Sequence, residues 1–238
     1  MEVCLFLFVH CDDESPARPP IDPSLLEAAS REVQGLTRFV VHLPAQLPDS
    51  DPLSKPQTSI PCCALQWYFD DLGLLETALQ PGGAMQAIVN RIANATEANL
   101  TFAQQAMAVR PFATPNPNDA RHRTERCTYL VSYEGEAEDF NAWLTHYLAH
   151  HPPLMAQLPG IRELEIYTRL DFRSGLTIPR ATAMQRNKVV FDDPEALAAA
   201  LSSPIRAHMK QDFTAFPPYI GPSPHFPMRS IYGNLKPT

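Results

Sequence analysis

Trp67-Tyr68-Phe69-Asp70-Asp71 and Val189-Val190-Phe191-Asp192-Asp193 follow one pattern. Each is an apolar run closed by two aspartates. Leucines at helical spacing follow each run, Leu75 and Leu79 after the first, Leu197 and Leu201 after the second. Phe-Asp-Asp recurs at a spacing of 122 residues, and both leucines keep that spacing. Upstream, Gly35-Leu36 and Gly160-Ile161, 125 residues apart, each open an alternating apolar run. Order and spacing are kept together, which predicts an internal duplication.

Working outward, each half reads βαββαβ. The first half predicts strands near 3–10, 36–43, 63–70 and 102–110, with helices near 22–33 and within 72–93. The second predicts strands near 127–134, 161–170, 185–191 and 225–232, with helices near 137–149 and 194–212. Asp193 suits an N-cap, with Pro194 at the first helical position and Glu195 in the first turn. Pro159-Gly160 punctuates the return from helix to strand. This order is the split-βαβ, ferredoxin-like pattern. The expected fold class is α+β: two ferredoxin-like modules, 1–112 and 125–238, joined by a linker at 113–124 and forming an intramolecular pseudo-dimeric α/β barrel. Residues 44–61, with five prolines, form a long loop inside the first module.

Strand alternation assigns faces. Leu164, Ile166, Thr168 and Leu170 point one way, as do Phe39, Val41 and Leu43; these sets belong under helices. Glu163, Glu165, Tyr167 and Arg169, with Arg38, Val40 and His42, form the mixed set that faces the other sheet. Trp67, Phe69 and Phe191 read as plain core.

Composition narrows the function. The chain has 238 residues, 45% of them hydrophobic, and a net charge of −7. An acidic protein makes a poor surface for nucleic acid or anionic membrane. No stretch has the roughly 18 apolar residues of a spanning helix. Met1–His10 carries Glu2 and lacks a basic start, so it reads as a buried first strand rather than a leader. The five cysteines (Cys4, Cys11, Cys62, Cys63 and Cys127) show no C-x-x-C spacing. They read as reduced thiols in a cytoplasmic protein, with no disulfide framework and no zinc site. Nucleotide, dinucleotide and serine-hydrolase motifs are absent from the sequence.

Tyr147-Leu148-Ala149-His150-His151-Pro152-Pro153-Leu154, followed by Leu158-Pro159-Gly160-Ile161, resembles the EthD family of the dimeric α/β-barrel superfamily. Phe140 ahead of the motif, Tyr133 and Gly135 at the preceding strand end, and Ser202-Ser203-Pro204 on the later helix agree with that pattern. The resemblance covers about 127–233. The first half has no His-x-Pro-Leu. The resemblance implies a small-molecule ligand, of aromatic or polyketide type, held between the sheet and helices of the second half. It also implies that a pseudo-dimer is built from one chain, with a further homodimer left open. Fold does not fix activity in such a superfamily. Cofactor-independent proton transfer, dehydration or isomerisation, a non-catalytic accessory role, and a heme or oxygen-activating role all stay open. No bound cofactor is expected.

His151 is the first catalytic candidate, because an imidazole titrates near neutrality and shuttles protons; its ring equally suits a cap on the end of its helix. Tyr129 and Tyr133 share a strand face and could orient a carbonyl or enolate oxygen. Tyr167, Glu165 and Tyr147 are candidate substrate contacts, although Glu165 and Tyr167 also suit hydrogen bonding between the modules, including to Arg38. His146 and His150, four apart, lack an evident third metal ligand and read as solvated surface imidazoles. His10 ends the first strand and is the first half's candidate pocket histidine. Phe216–Pro227 reads as a proline-rich loop over a module edge, placed to cover a pocket.

Overall fold

The computed structural model describes residues 1–11, 22–48, 60–95, 99–117 and 125–235. The first part of the chain forms β1 (Val3–Cys11), α1 (Pro23–Ser30), β2 (Leu36–Pro44), β3 (Cys63–Phe69), α2 (Leu72–Ala78), α3 (Ala84–Ala93) and β4 (Leu100–Phe112). The second part forms β5 (Glu125–Tyr133), β6 (Glu136–Ala137), α4 (Phe140–Met155), β7 (Glu163–Arg169) and β8 (Gln185–Phe191), then α5 (Pro194–Leu201), α6 (Ile205–Thr214), β9 (Tyr219–Ile220) and β10 (His225–Tyr232).

The fold is α+β. Eight strands close into an antiparallel barrel in the order β1-β3-β2-β10-β5-β8-β7-β4. The first four barrel strands pair as β4-β1-β3-β2 and the last four as β10-β5-β8-β7. Two seams join these sets: β10 on β2, with Ile231 opposite Val41, and β4 on β7, with Ala108 opposite Thr168. Closure leaves no barrel edge unpaired. β6 and β9 make a separate small ladder.

Local chemistry explains why the repeated motifs start helices. Asp71 accepts from Leu74 N at 2.9 Å, and Asp193 accepts from Ala196 N at 2.8 Å. The second aspartate of each Phe-Asp-Asp is therefore an N-cap. Gly35 and Gly160 sit at φ of 78° and 76°, a left-handed turn into the next strand that glycine takes without strain.

Alternation divides the apolar residues into three layers. Phe39, Val41, Leu43, Trp67 and Phe69 pack under the first set of helices. Leu164, Ile166, Phe191 and Tyr133 pack under the second. Phe6, Val40, Tyr68, Leu130, Tyr167 and Met228 fill the barrel.

Several boundaries differ from the sequence expectation. α4 does not stop near 149 but continues through Pro152 and Pro153 to Met155. Proline's φ suits a helix; the two rings only remove donors in the last turns, and Ala156 N still reaches Pro152 O at 2.9 Å. The helix expected within 72–93 is broken at Pro81-Gly82-Gly83, and that expected at 194–212 is broken at Ser202-Ser203-Pro204. β4 is longer than expected and abuts the linker at Phe112; residues 113–117 carry no helix or strand, and 118–124 lie outside the described residues, as does most of the loop expected at 44–61. Phe216–Pro227 contains β9 and the start of β10 rather than being wholly aperiodic.

Cys11 and Cys62 form a disulfide with Cα atoms 6.0 Å apart, against the expectation of reduced thiols throughout. Antiparallel pairing explains the encounter: Val9 lies opposite Cys63, so Cys11, two residues past Val9, and Cys62, one before Cys63, meet just beyond the ladder. This disulfide removes the cysteine basis for expecting a reducing compartment. No helix among the described residues is long and apolar enough to cross a membrane.

Candidate functional site

Strand register brings the end of β5 (Tyr133), the start of β8 (Gln185), the start of β10 and the end of β1 to one end of the barrel. A cavity of about 1030 Å³ lies there. Its wall draws on both faces of the sheet. Tyr129, Tyr133 and Val189 come from the helix-facing side, and Phe8, Arg186 and Phe226 from the barrel interior. α4 contributes His151 and Met155; α6 contributes Arg206, Met209, Lys210 and Phe213. The segment 219–226 closes another side and is laced to β5 and its exit by Ser132 N to Pro224 O and Glu134 N to Pro222 O, both at 3.0 Å.

His151 projects from α4 toward α6 and is only 5% exposed. Its Nδ1 lies 2.8 Å from Asp212 Oδ2. A carboxylate only accepts, so this contact places the ring proton on Nδ1 and the lone pair on Nε2. Burial lowers the His151 pKa, and the bond to Asp212 offsets part of that. The neutral base is thereby favoured. Tyr147 lies against the imidazole with ring centroids 5.2 Å apart, and Phe216 packs edge-on at 5.3 Å.

Tyr129 and Tyr133 share the cavity wall with His151, and His225 stacks on Tyr129 at 5.3 Å. Burial raises the Tyr133 pKa, so its phenol stays a donor at neutral pH. His10 also lines the cavity. Tyr147 is fully buried behind that wall, in an aromatic cluster with Trp143 and Tyr133, and does not line it.

Glu165 and Tyr167 lie elsewhere, inside the barrel. Tyr167 donates to Glu165, Tyr68 and Tyr167 share a 2.7 Å bond, and Arg38 donates to Glu165 at 2.6 Å. Lys188, fully buried, reaches Glu163 at 2.5 Å and Glu165 at 3.0 Å. Burial alone would raise the Glu165 pKa, but Lys188 and Arg38 outweigh it and hold the carboxyl well below the usual range. This network links strands of both barrel halves. Glu165 and Arg38 border a smaller cavity of about 390 Å³, apart from His151.

Asp212 and Arg186 carry no local signal in the sequence. Asp212 is 61 residues from His151, in a polar helix end without a motif. Asp212 also supplies the third donor that His146 and His150 lacked: the three ligating atoms lie within 4.8 Å of one another. In this cluster His150 Nδ1 already bonds His146 O at 2.8 Å, and Asp212 is held by His151.

No family model and no curated protein matches the chain. Solved structures share its fold over nearly its whole length. An anthrone oxidase-like protein superposes with a TM-score of 0.62 at 12% identity, covering 98% of this chain and 93% of that one. A proposed monooxygenase from Lactobacillus acidophilus NCFM superposes with a TM-score of 0.53 at 9% identity, covering 98% and 94%. At such identities the likeness is one of fold. An EthD family protein from Bacillus halodurans aligns with 39% of this chain and 87% of its own, at 22% identity and a TM-score of 0.32, an overlap too partial to carry the family assignment.

Proposed function

We propose that this chain is a tandem-duplicated, single-chain relative of the EthD-like dimeric α/β-barrel proteins. On this reading it holds a small aromatic or polyketide-like molecule beside His151 and moves a proton on it without a bound cofactor. Support for the duplication comes from the matching pairing orders β4-β1-β3-β2 and β10-β5-β8-β7, and from the paired aspartate caps. The observation that carries the chemistry is His151, bonded to Asp212, in the wall of a cavity large enough for a multi-ring ligand.

Asp212 holds the Nδ1 proton, and Nε2 takes a proton from a carbon next to a substrate carbonyl. The electron pair moves onto the carbonyl oxygen as an enolate, with Tyr133 or Tyr129 donating to it. Return of the proton to another carbon gives isomerisation; its delivery to a departing hydroxyl gives dehydration.

Binding without turnover is the second reading. The same His151–Asp212 bond ties α4 to α6 and would serve as a structural link.

Anthrone, a three-ring ketone with an acidic methylene, is a suitable probe. In anaerobic deuterated buffer, loss of the methylene proton signal is expected to run about 10²–10⁴-fold faster with the protein. His151→Ala abolishes the gain. Calorimetric binding of anthrone with no acceleration would retire catalysis in favour of the second reading.

A further inference from the structure

Three cationic side chains are buried among the described residues: Arg126, Arg186 and Lys188. Lys188 has Glu163 and Glu165, and Arg126 has Asp192 at 3.3 Å. Arg186 alone has no carboxylate within ion-pair distance among the described residues. Its Nε donates to Gln105 Oε1 at 3.1 Å and its Nη1 to Ser132 Oγ at 2.8 Å. Glu134 reaches it only through Ser132, whose hydroxyl donates to Glu134 Oε1 at 3.1 Å. A guanidinium has five N–H donors, so most of this fork is uncommitted, Nη2 included. The group lies over the Phe8 ring, 4.3 Å from its centroid, in the cavity wall.

An unpaired buried charge is costly and persists where something compensates it. Burial pulls the Arg186 pKa down to about 10, with Glu134 only partly opposing, yet the group stays cationic at neutral pH. The wall repeats the sign: among the described residues, Arg186, Arg206 and Lys210 line the cavity against the single carboxylate of Glu134. The protein as a whole carries a net charge of −7, so this positive lining is a local feature.

We propose that the ligand of this cavity carries an anionic oxygen, a carboxylate or phenolate on an aromatic frame, and that Arg186 binds it through Nη2. This rests on the cavity being a ligand site, but not on His151 acting as a base. Phe8 and Phe6 lie beside the guanidinium, at 4.3 and 5.8 Å, and such apolar surroundings strengthen a charge pairing. In proton transfer, the same arginine would hold the oxygen on which enolate charge develops.

The test uses the full chain with two probes of one shape, anthracene-2-carboxylate and anthracene-2-carboxamide, titrated by probe fluorescence at pH 7.5. Wild type is expected to bind the carboxylate at least about tenfold more tightly. Arg186→Met brings the two within about twofold. Arg186→Gln, which keeps polar atoms for Gln105 and Ser132, does the same where methionine unfolds the chain by circular dichroism. His151→Ala retains the full preference. Equal binding of the probes by wild type, binding of neither, or a preference that survives in Arg186→Gln overturns the proposal. Loss of preference in Arg206→Met or Lys210→Met, with Arg186→Gln unaffected, assigns the anion to α6 and overturns it too. An intact carboxylate preference with no proton transfer on any ketone retires the catalytic reading alone.

Discussion

At the scale of single residues, Asp212 and His42 show how burial sets the chemistry of a histidine. His151 is lowered by burial and lifted again by Asp212, so its neutral form dominates above a pKa below the usual value of about 6.5. Proton abstraction should therefore fade as pH falls through that value. Asp212→Asn removes the lifting partner. The acid limb of kcat/KM moves to lower pH, while the plateau drops about 10²-fold because the tautomer and the imidazolium lose their anchor. An acid limb that stays in place in a pH–rate profile would count against the pairing. His42 is the structural counterpart: it bridges Ser230 at 2.7 Å and Gln66 at 2.6 Å inside the barrel, and burial pushes its pKa down to about 3. The unfolded chain binds this proton first. Stability is complete above pH about 6.5 and declines as pH falls toward 3, by at most about 1.4 kcal/mol per pH unit. His42→Gln should flatten that part of a urea-melt pH series. His151 was legible because a histidine beside prolines is a local signal. Asp212 and Arg186 were not, because each gains its role only from a partner or cavity that the fold assembles.

At the scale of elements, strand faces were legible and helix ends were not. Period-two alternation put Phe39, Val41 and Leu43 under helices, and put Tyr167 and Glu165 inside the barrel, where they are found. The aspartate caps marked helix starts because a cap is a one-residue chemical device. Helix C-termini depend on weaker preferences, and Pro152-Pro153 misled: the structure tolerates both rings in the last turns of α4. Pro153 is exposed, and its missing N–H leaves the carbonyl of Ala149 without its helical donor. Pro153→Ala should restore that bond at no packing loss. The expected gain is about 1–2 kcal/mol, net of the lost unfolded-state rigidity, read as a rise in Tm. No gain would mean that the carbonyl is satisfied by water. His151, two residues upstream, should keep its bond to Asp212 in this variant.

At the scale of the molecule, the barrel exists only because both parts of the chain contribute to it. The repeat predicted two similar sets of four strands; which strands would meet at the seams was not legible, since seam pairing is decided between segments far apart in sequence. Taken alone, residues 1–117 would expose the outer edges of β2 and β4 and one face carrying Phe6, Tyr68 and Val40. Residues 125–238 would expose the edges of β10 and β7, with Lys188, Glu163 and Glu165 stripped of Tyr68 and Arg38. An open sheet edge with an apolar face recruits another sheet. Each fragment expressed alone should be a self-associating or unfolded species by light scattering and near-ultraviolet circular dichroism. Mixing the two should restore a one-to-one complex, because the seams and the interior network need no covalent link. A folded, monomeric fragment 125–238 would show that the second half is self-sufficient, and would remove the reason for the chain to carry the first.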